Sequence, residues 1–199
     1  MKTVFVDVDT QLDFLYPSGA LYVPGAEKIV EQIASVNRFA GAHGIPVIST
    51  MDAHAENDPE FQGWPAHCVA GTLGQQKPAA TLLERRVVVA NRPGAIAIDG
   101  AQQILLEKQV LDCFSNVHLN GILDQLGAER YVVYGVVTEI CVKFAAEGLL
   151  KTGRRVELVT DAVRGLNDSA VAEMTTGFVT RGGLLTTVAD VTASQGRRV

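Results

Sequence analysis

Several short segments of this chain are apolar along nearly their whole length, and this constrains the fold more than any other feature. Val4–Val8, Pro46–Met51, Val87–Ala90, Gln103–Leu106, Arg130–Val136, Val156–Thr160 and Leu184–Val188 do not alternate apolar with polar residues. A strand with that pattern is buried on both faces. Between these runs lie helical segments. Glu27–His43 places Ile29, Ile33, Val36 and Ala40 on one face, with Gly44 as its stop, and Asn116–Gly127, Cys141–Thr152 and Ser169–Thr180 read as further helices. The alternation predicts a three-layer α/β/α domain over 1–199 with a mainly parallel sheet of about six strands, Rossmann-like in plan.

The chain has 199 residues, 47% of them hydrophobic and 20% charged, which is enough apolar material for one buried core. Its net charge of -5 and the lack of a basic face argue against a nucleic-acid partner. No apolar run reaches the roughly 18 residues of a membrane span. Lys2–Asp7 lacks the pattern of a signal peptide, so a cytoplasmic location is expected. Three cysteines cannot all pair with one another, and in a reducing compartment each is a free thiol. The closing Gly196–Val199 reads as a tail.

Ligands of an open parallel sheet bind beyond the carboxyl ends of its strands. The chemically capable residues fall there: Asp9 after the first run, Asp52 and His54 after the second, Lys108 after Ile104–Leu106, and Cys141 after Arg130–Val136. With Thr138 as N-cap, Cys141 would sit in the first turn of a helix, where free amides and the helix dipole favour a thiolate and can hold an oxyanion. A packed, inert thiol is the alternative. An aspartate beside a cysteine can take its proton and return it to a leaving amine, and a lysine can hold both anions; taken singly, Asp9 could be a loop cap and Lys108 a solvated charge. Asp7, inside the strand, reads as structural.

Asp52-Ala53-His54 and His67 share the long loop Asp52–Pro78. Two imidazoles and one carboxylate suit zinc, manganese or iron; a hydrogen-bonded loop is the alternative. Cys68 could be a ligand or a packed thiol, Cys113 could line the pocket, and His43 and His118 read as ordinary. The stretch Asn91–Gly100 shows no clear element.

Four segments taken together resemble the isochorismatase-like cysteine hydrolases, and within them the nicotinamidase-type branch. These are Asp9-Thr10-Gln11-Leu12-Asp13-Phe14, Asp52-Ala53-His54, Trp64-Pro65-Ala66-His67-Cys68-Val69-Ala70-Gly71-Thr72 and Gly135-Val136-Val137-Thr138-Glu139-Ile140-Cys141-Val142. Their order and spacing match over roughly residues 2 to 190. The resemblance implies a catalytic set of Asp9, Lys108 and Cys141, and a cis peptide near Val136-Val137 that turns the Val137 N–H toward an oxyanion. It also implies a divalent metal, most simply zinc, held by Asp52, His54 and His67 against a ring nitrogen of the substrate. Phe14 and Trp64 match residues that flank that ring. Members of the family are often dimers or tetramers, so a homo-oligomer is expected.

Two segments depart from the branch. Glu107–Asn116 lacks the lysine-glycine pair and the Tyr/Ser-containing stretch usual there, and 87–102 does not follow the nicotinamidase pattern. The expected activity is hydrolysis of a small carboxamide, nicotinamide above all, through an acyl-thioester. Two alternatives stand beside it: another small substrate of the family, such as a ureido acid, another amide or a vinyl ether, and a non-catalytic relic of the fold.

Overall fold

The computed structural model describes residues 1–193; the expected tail Gly196–Val199 lies outside the described residues. Seven strands form one sheet, in the order β3-β4-β2-β1-β5-β6-β7, and every neighbouring pair is parallel. They are β1 (Thr3–Val8), β2 (Val47–Asp52), β3 (Arg86–Val89), β4 (Gln103–Lys108), β5 (Arg130–Val136), β6 (Arg155–Arg164) and β7 (Leu184–Thr186). The count exceeds the expected six because both short edge runs, β3 and β7, pair with the sheet.

The continuous apolar runs are the central strands. β1, β2 and β5 are buried at every position. Alternate side chains feed two separate cores, Val4, Val6 and Val8 on one face and Phe5 on the other. α3 (Leu119–Leu126), α4 (Lys143–Leu150) and α5 (Asp168–Thr180) cover the first face through Ile122, Ala145, Ala146, Met174 and Phe178. α2 (Val30–Ala42) and α6 (Val188–Ala193) cover the second through Ile33, Val36, Ala40 and Val191, beside the one-turn α1 (Leu12–Leu15). Among the described residues, no helix is long and apolar enough to cross a membrane.

Several boundaries differ from the sequence expectation. The first long helix begins as a 3-10 turn at Ala26–Ile29, after Gly25 in the left-handed region. Val188 starts α6 rather than ending β7. The helix expected from Cys141 is preceded by one π-helical turn, Thr138–Val142, whose N-cap is Val137 and not Thr138. Here tertiary packing overrides the capping preference, since the Thr138 hydroxyl is buried without a partner.

The chain runs from β1 to β2, on to the edge strand β3, back to β4 between β3 and β2, and then crosses to β5 on the other side of β1, so β1 flanks the switch point of the sheet. Register brings the carboxyl ends of four adjacent strands level. Lys108 faces Asp52, Val8 faces Thr50, and Val8 also faces Gly135. Gly135 has φ +119, and a Cβ there would lie 2.1 Å from the Val8 carbonyl oxygen. Only glycine lets β5 approach β1 so closely. Gly135→Ala is therefore expected to cost about 3 kcal/mol or more of stability, read as a lowered denaturation midpoint.

Candidate active site

Four neighbouring strands each end in one polar group of a single buried cluster. Lys108, the last residue of β4, is its centre: its ammonium lies 2.9 Å from Asp9 Oδ2, hydrogen-bonds Asp52 Oδ1 and reaches Cys141 Sγ at 3.8 Å. Asp9, Asp52 and Lys108 are at most 2% exposed, and Cys141 only 6%. The sequence places Asp52 in the metal set alone, whereas its two oxygens serve two groups.

Asp9 follows β1 in the left-handed region, at φ +49, unusual for a residue with a side chain. Three bonds to Thr50 hold it. Its N–H donates to the Thr50 carbonyl and hydroxyl, and its Oδ1 accepts from the Thr50 hydroxyl at 2.6 Å. Its Oδ2, although close to the ammonium, makes no aligned hydrogen bond and keeps a free lone pair.

One ammonium between two carboxylates cannot balance both. Burial opposes charge on Asp52, but Lys108 and then His54 and His67 outweigh it, and the carboxyl is held well below the usual carboxylate range. For Asp9, burial dominates. Lys108 pulls down, Asp52 pushes up, and the pKa ends above the ordinary 3.8. Burial works against charge on Lys108 too, yet Asp52 and Asp9 keep it an ammonium well above 10.5.

The pull of a helix start toward thiolate, expected at Cys141, is opposed by its surroundings. Burial raises its pKa well above 9.0; Lys108 works the other way, while Asp9 and Asp52 add to the rise. The helix-terminus argument is local, and burial among carboxylates outweighs it. The peptide bond between Val136 and Val137 is cis, as the resemblance implied.

The other oxygen of Asp52, Oδ2, faces His67 Nε2 at 3.7 Å and His54 Nε2 at 3.9 Å. One ligand atom from each of these residues lies within 4.8 Å of the others, and all three residues are buried. The donor set suits a divalent cation. His67 Nδ1 is 2.7 Å from the Pro65 carbonyl, which leaves Nε2 free, and neither ring nitrogen of His54 has an aligned hydrogen bond. Asp58 Oδ2 stands 3.1 Å behind His54 Nδ1. The loop is fixed by a parallel bridge of His54 to Val69, and by the Asp13 carboxylate, which accepts from Cys68 N–H at 2.7 Å.

A cavity opens over both groups. Phe14, Trp64, Leu21, Leu111, Ile140 and Leu166 line its apolar walls, with Val137, Asp52, Glu60, His67 and Cys141 at the polar side. Phe14 also packs on His67, ring centres 5.3 Å apart. Val136 is fully buried and does not line the cavity.

Cys68 does not join the metal set; it turns its sulfur toward the Gly74 carbonyl. Cys113 packs in the core rather than the pocket, and burial pushes its thiol up to about 12. His43 and His118 bond backbone carbonyls only.

Sequence reasoning missed Gln11, Asp13, Thr50, Asp58 and Glu60. Gln11 pairs with both backbone groups of Asp52 and so ties the β1 turn to the end of β2. Gln11 and Asp13 lie within the first motif, so position alone could have marked them. Asp58 and Glu60 flank Pro59 in a 3-10 turn of the long loop and carry no signal of their own.

Comparison with known proteins agrees with this architecture. The nicotinamidase of Escherichia coli (strain K12) is 28% identical over 221 residues, covering 95% of this chain and 96% of that protein. The pyrazinamidase of Pyrococcus horikoshii, solved in complex with zinc, superposes with a TM-score of 0.80 at 28% identity over 94% of this chain and 99% of its own. The N-carbamoylsarcosine amidase of Thermoplasma acidophilum gives a TM-score of 0.75 at 26% identity over 94% of this chain and 97% of its own. The model of the Isochorismatase domain matches residues 3–190, and the chain belongs to that family.

Proposed function

We propose that the protein is a cysteine-dependent amidohydrolase that converts a small carboxamide, in the first place nicotinamide, to its acid and ammonia. The observation that carries the reading is the meeting of Cys141 Sγ and the Asp9 carboxyl on one buried ammonium, beside the Asp52-His54-His67 group and under one cavity. The names of the Escherichia coli and Pyrococcus horikoshii relatives support the choice of substrate.

In this reading Asp9 takes the proton of the Cys141 thiol through its free Oδ2 as the sulfur attacks the amide carbon. The N–H groups of Val137 and Cys141 hold the oxyanion. When the intermediate collapses, the C–N bond breaks, Asp9 gives its proton to the departing nitrogen, and ammonia leaves an acyl-thioester. A water then passes a proton to Asp9 and attacks the thioester. The C–S bond breaks, the acid leaves, and the proton returns to sulfur. Lys108 keeps its charge throughout and holds Asp9 against Cys141.

Asp52, His54 and His67 would hold the divalent metal, with zinc the first candidate and manganese or iron the others. A cation there would supply a Lewis-acid anchor for the ring nitrogen of a heteroaromatic amide. Phe14 and Trp64 would flank a flat ring. Leu111 stands where the lysine segment departs from the branch, so the pocket wall there admits other small amides, an N-carbamoyl compound among them. A homo-oligomer in the cytoplasm completes the proposal.

Three outcomes test it. Ammonia release from nicotinamide by the metal-loaded protein should fall about 10⁴-fold or more in Cys141→Ala, since such sets act as a unit; near-normal turnover in that variant would overturn the mechanism. No release from nicotinamide, with turnover of another amide that depends on Cys141, would keep the mechanism and change the substrate.

Asp9 must be ionised to act as base, and its folded pKa is raised. Titrated in the metal-free protein by NMR, the Asp9 carboxyl should therefore show a pKa above 3.8, with the basic form lost as pH falls through it. A pKa at or below 3.8 there would show that Lys108, and not burial, dominates at Asp9. His67→Ala removes one of three ligands, and metal titration should show affinity reduced by about tenfold or more. Unchanged affinity would place the metal elsewhere.

A further inference from the structure

We infer that Lys77 and Thr10 are positioning residues for Asp9, and that the segment 74–77 is a clamp holding the turn after β1 in its working geometry. The inference rests on the reading of Asp9 as the base for Cys141.

A second buried charge cluster holds that turn, through groups that do not include Lys108. Asp7, on β1, is fully buried and collects the hydroxyl of Thr10 at 2.7 Å, the hydroxyl of Ser49 at 3.0 Å, the amide of Asn37 at 3.4 Å and the ammonium of Lys77 at 3.5 Å. Lys77 also donates to the Thr10 hydroxyl at 2.9 Å. Thr10 therefore sits between a buried cation and a buried anion, and its neighbour in the chain is Asp9.

The segment that brings Lys77 bonds each of residues 10 to 13 along the turn. Asp13 N–H donates to the Gly74 carbonyl at 3.1 Å and Leu12 N–H to that of Gln76 at 2.8 Å. The Gln11 side chain donates to that of Gln75 at 2.9 Å, and the Lys77 ammonium ends the series on Thr10. The approach is close: a Cβ on Gly74 would lie 2.1 Å from Asp13 Oδ2.

Asp9 sits in a backbone region that residues with side chains rarely occupy, and it keeps that conformation because its surroundings leave no other. Thr50 fixes its own polar atoms; the clamp fixes the residues after it. A buried ion pair is a poor way to gain stability, because desolvating both charges cancels most of their attraction. Fixing one geometry is a use that apolar packing at Asp7 and Lys77 would not serve. A small displacement of a reacting group costs orders of magnitude in rate.

The test compares Thr10→Val, which keeps the shape and removes the hydroxyl, with Thr10→Ser, which keeps the hydroxyl. Lys77→Met and Asp9→Asn run beside them. Circular dichroism and thermal melts give the folded fraction, and Lys77→Gln, which keeps a donor, replaces Lys77→Met if that variant does not fold. Two rates are read per folded molecule: kcat and KM on nicotinamide, and alkylation of Cys141 by iodoacetamide across pH, followed by peptide mass spectrometry.

Thr10→Val and Lys77→Met should lower kcat by about tenfold to a hundredfold, with KM within about twofold of the parent and Cys141 alkylation slowed in parallel. Thr10→Ser should stay within about threefold of the parent in both rates. Parent-like kcat and alkylation in folded Thr10→Val and Lys77→Met would overturn the inference and leave the cluster a purely structural role. If Asp9→Asn itself leaves Cys141 alkylation unchanged, the reading of Asp9 as base fails instead, and the two failures are distinguishable.

Discussion

One buried ammonium organises the site. Lys108 is enclosed at the end of β4 with the carboxylates of Asp9 and Asp52 and the sulfur of Cys141 around it. A charge so placed is tolerated only with its partners, and removing one partner of such a pair costs several kcal/mol, about 3–5. The cluster carries one positive charge against two acidic groups, so the acids cannot share it equally. Asp52, with two imidazoles on its far side, stays ionised, and Asp9, with only Thr50 and the ammonium, rises. Two carboxyls with separated proton affinities are what a proton-transfer site needs, and here the separation comes from placement alone.

That placement is a property of the sheet. The strands are apolar on both faces, so ionisable groups concentrate where strands end. β4, β2, β1 and β5 are consecutive in the sheet though not in the chain, and all four point the same way. Their carboxyl ends therefore deliver Lys108, Asp52, Asp9 and Cys141 side by side, although the residues are 33 to 99 positions apart from Lys108. Asp7 is the exception, an acid inside a central strand. It is accommodated because Thr10, Ser49, Asn37 and Lys77 all turn polar atoms to it.

Much of this was legible in the residues. Continuous apolar runs separated by helical spacing specify a parallel sheet, and the sheet then specifies where ligating and nucleophilic groups must gather. The carboxyl ends of the runs point to Asp9, Asp52, His54, Lys108 and Cys141, the shared loop adds His67, and the motif order adds Phe14 and Trp64. What escaped was whatever depends on contacts between distant segments. Cys141 at a helix start reads as a thiolate only while its neighbours are unknown. Burial, with Asp9 and Asp52, raises its pKa well above 9.0 against the pull of Lys108. Gln11 looks like a loop residue until the end of β2 is seen to bond both ends of its amide. Asp58 is one acid among several in a polar loop until His54 lies 3.1 Å away.

The double duty of Asp52 has a consequence for how the two halves of the site depend on each other. Its Oδ1 belongs to Lys108 and its Oδ2 to the side of His54 and His67. A cation held on Oδ2 would draw charge away from Oδ1 and loosen its hold on the ammonium. Lys108 would then lean more on Asp9, and the proton affinity of Asp9 would fall. Asp9 would thus be tuned by a group that it does not touch, through one carboxylate shared between them. In such an arrangement the side of His54 and His67 and the side of Cys141 cannot be altered independently, and a substitution at Asp52 reaches both.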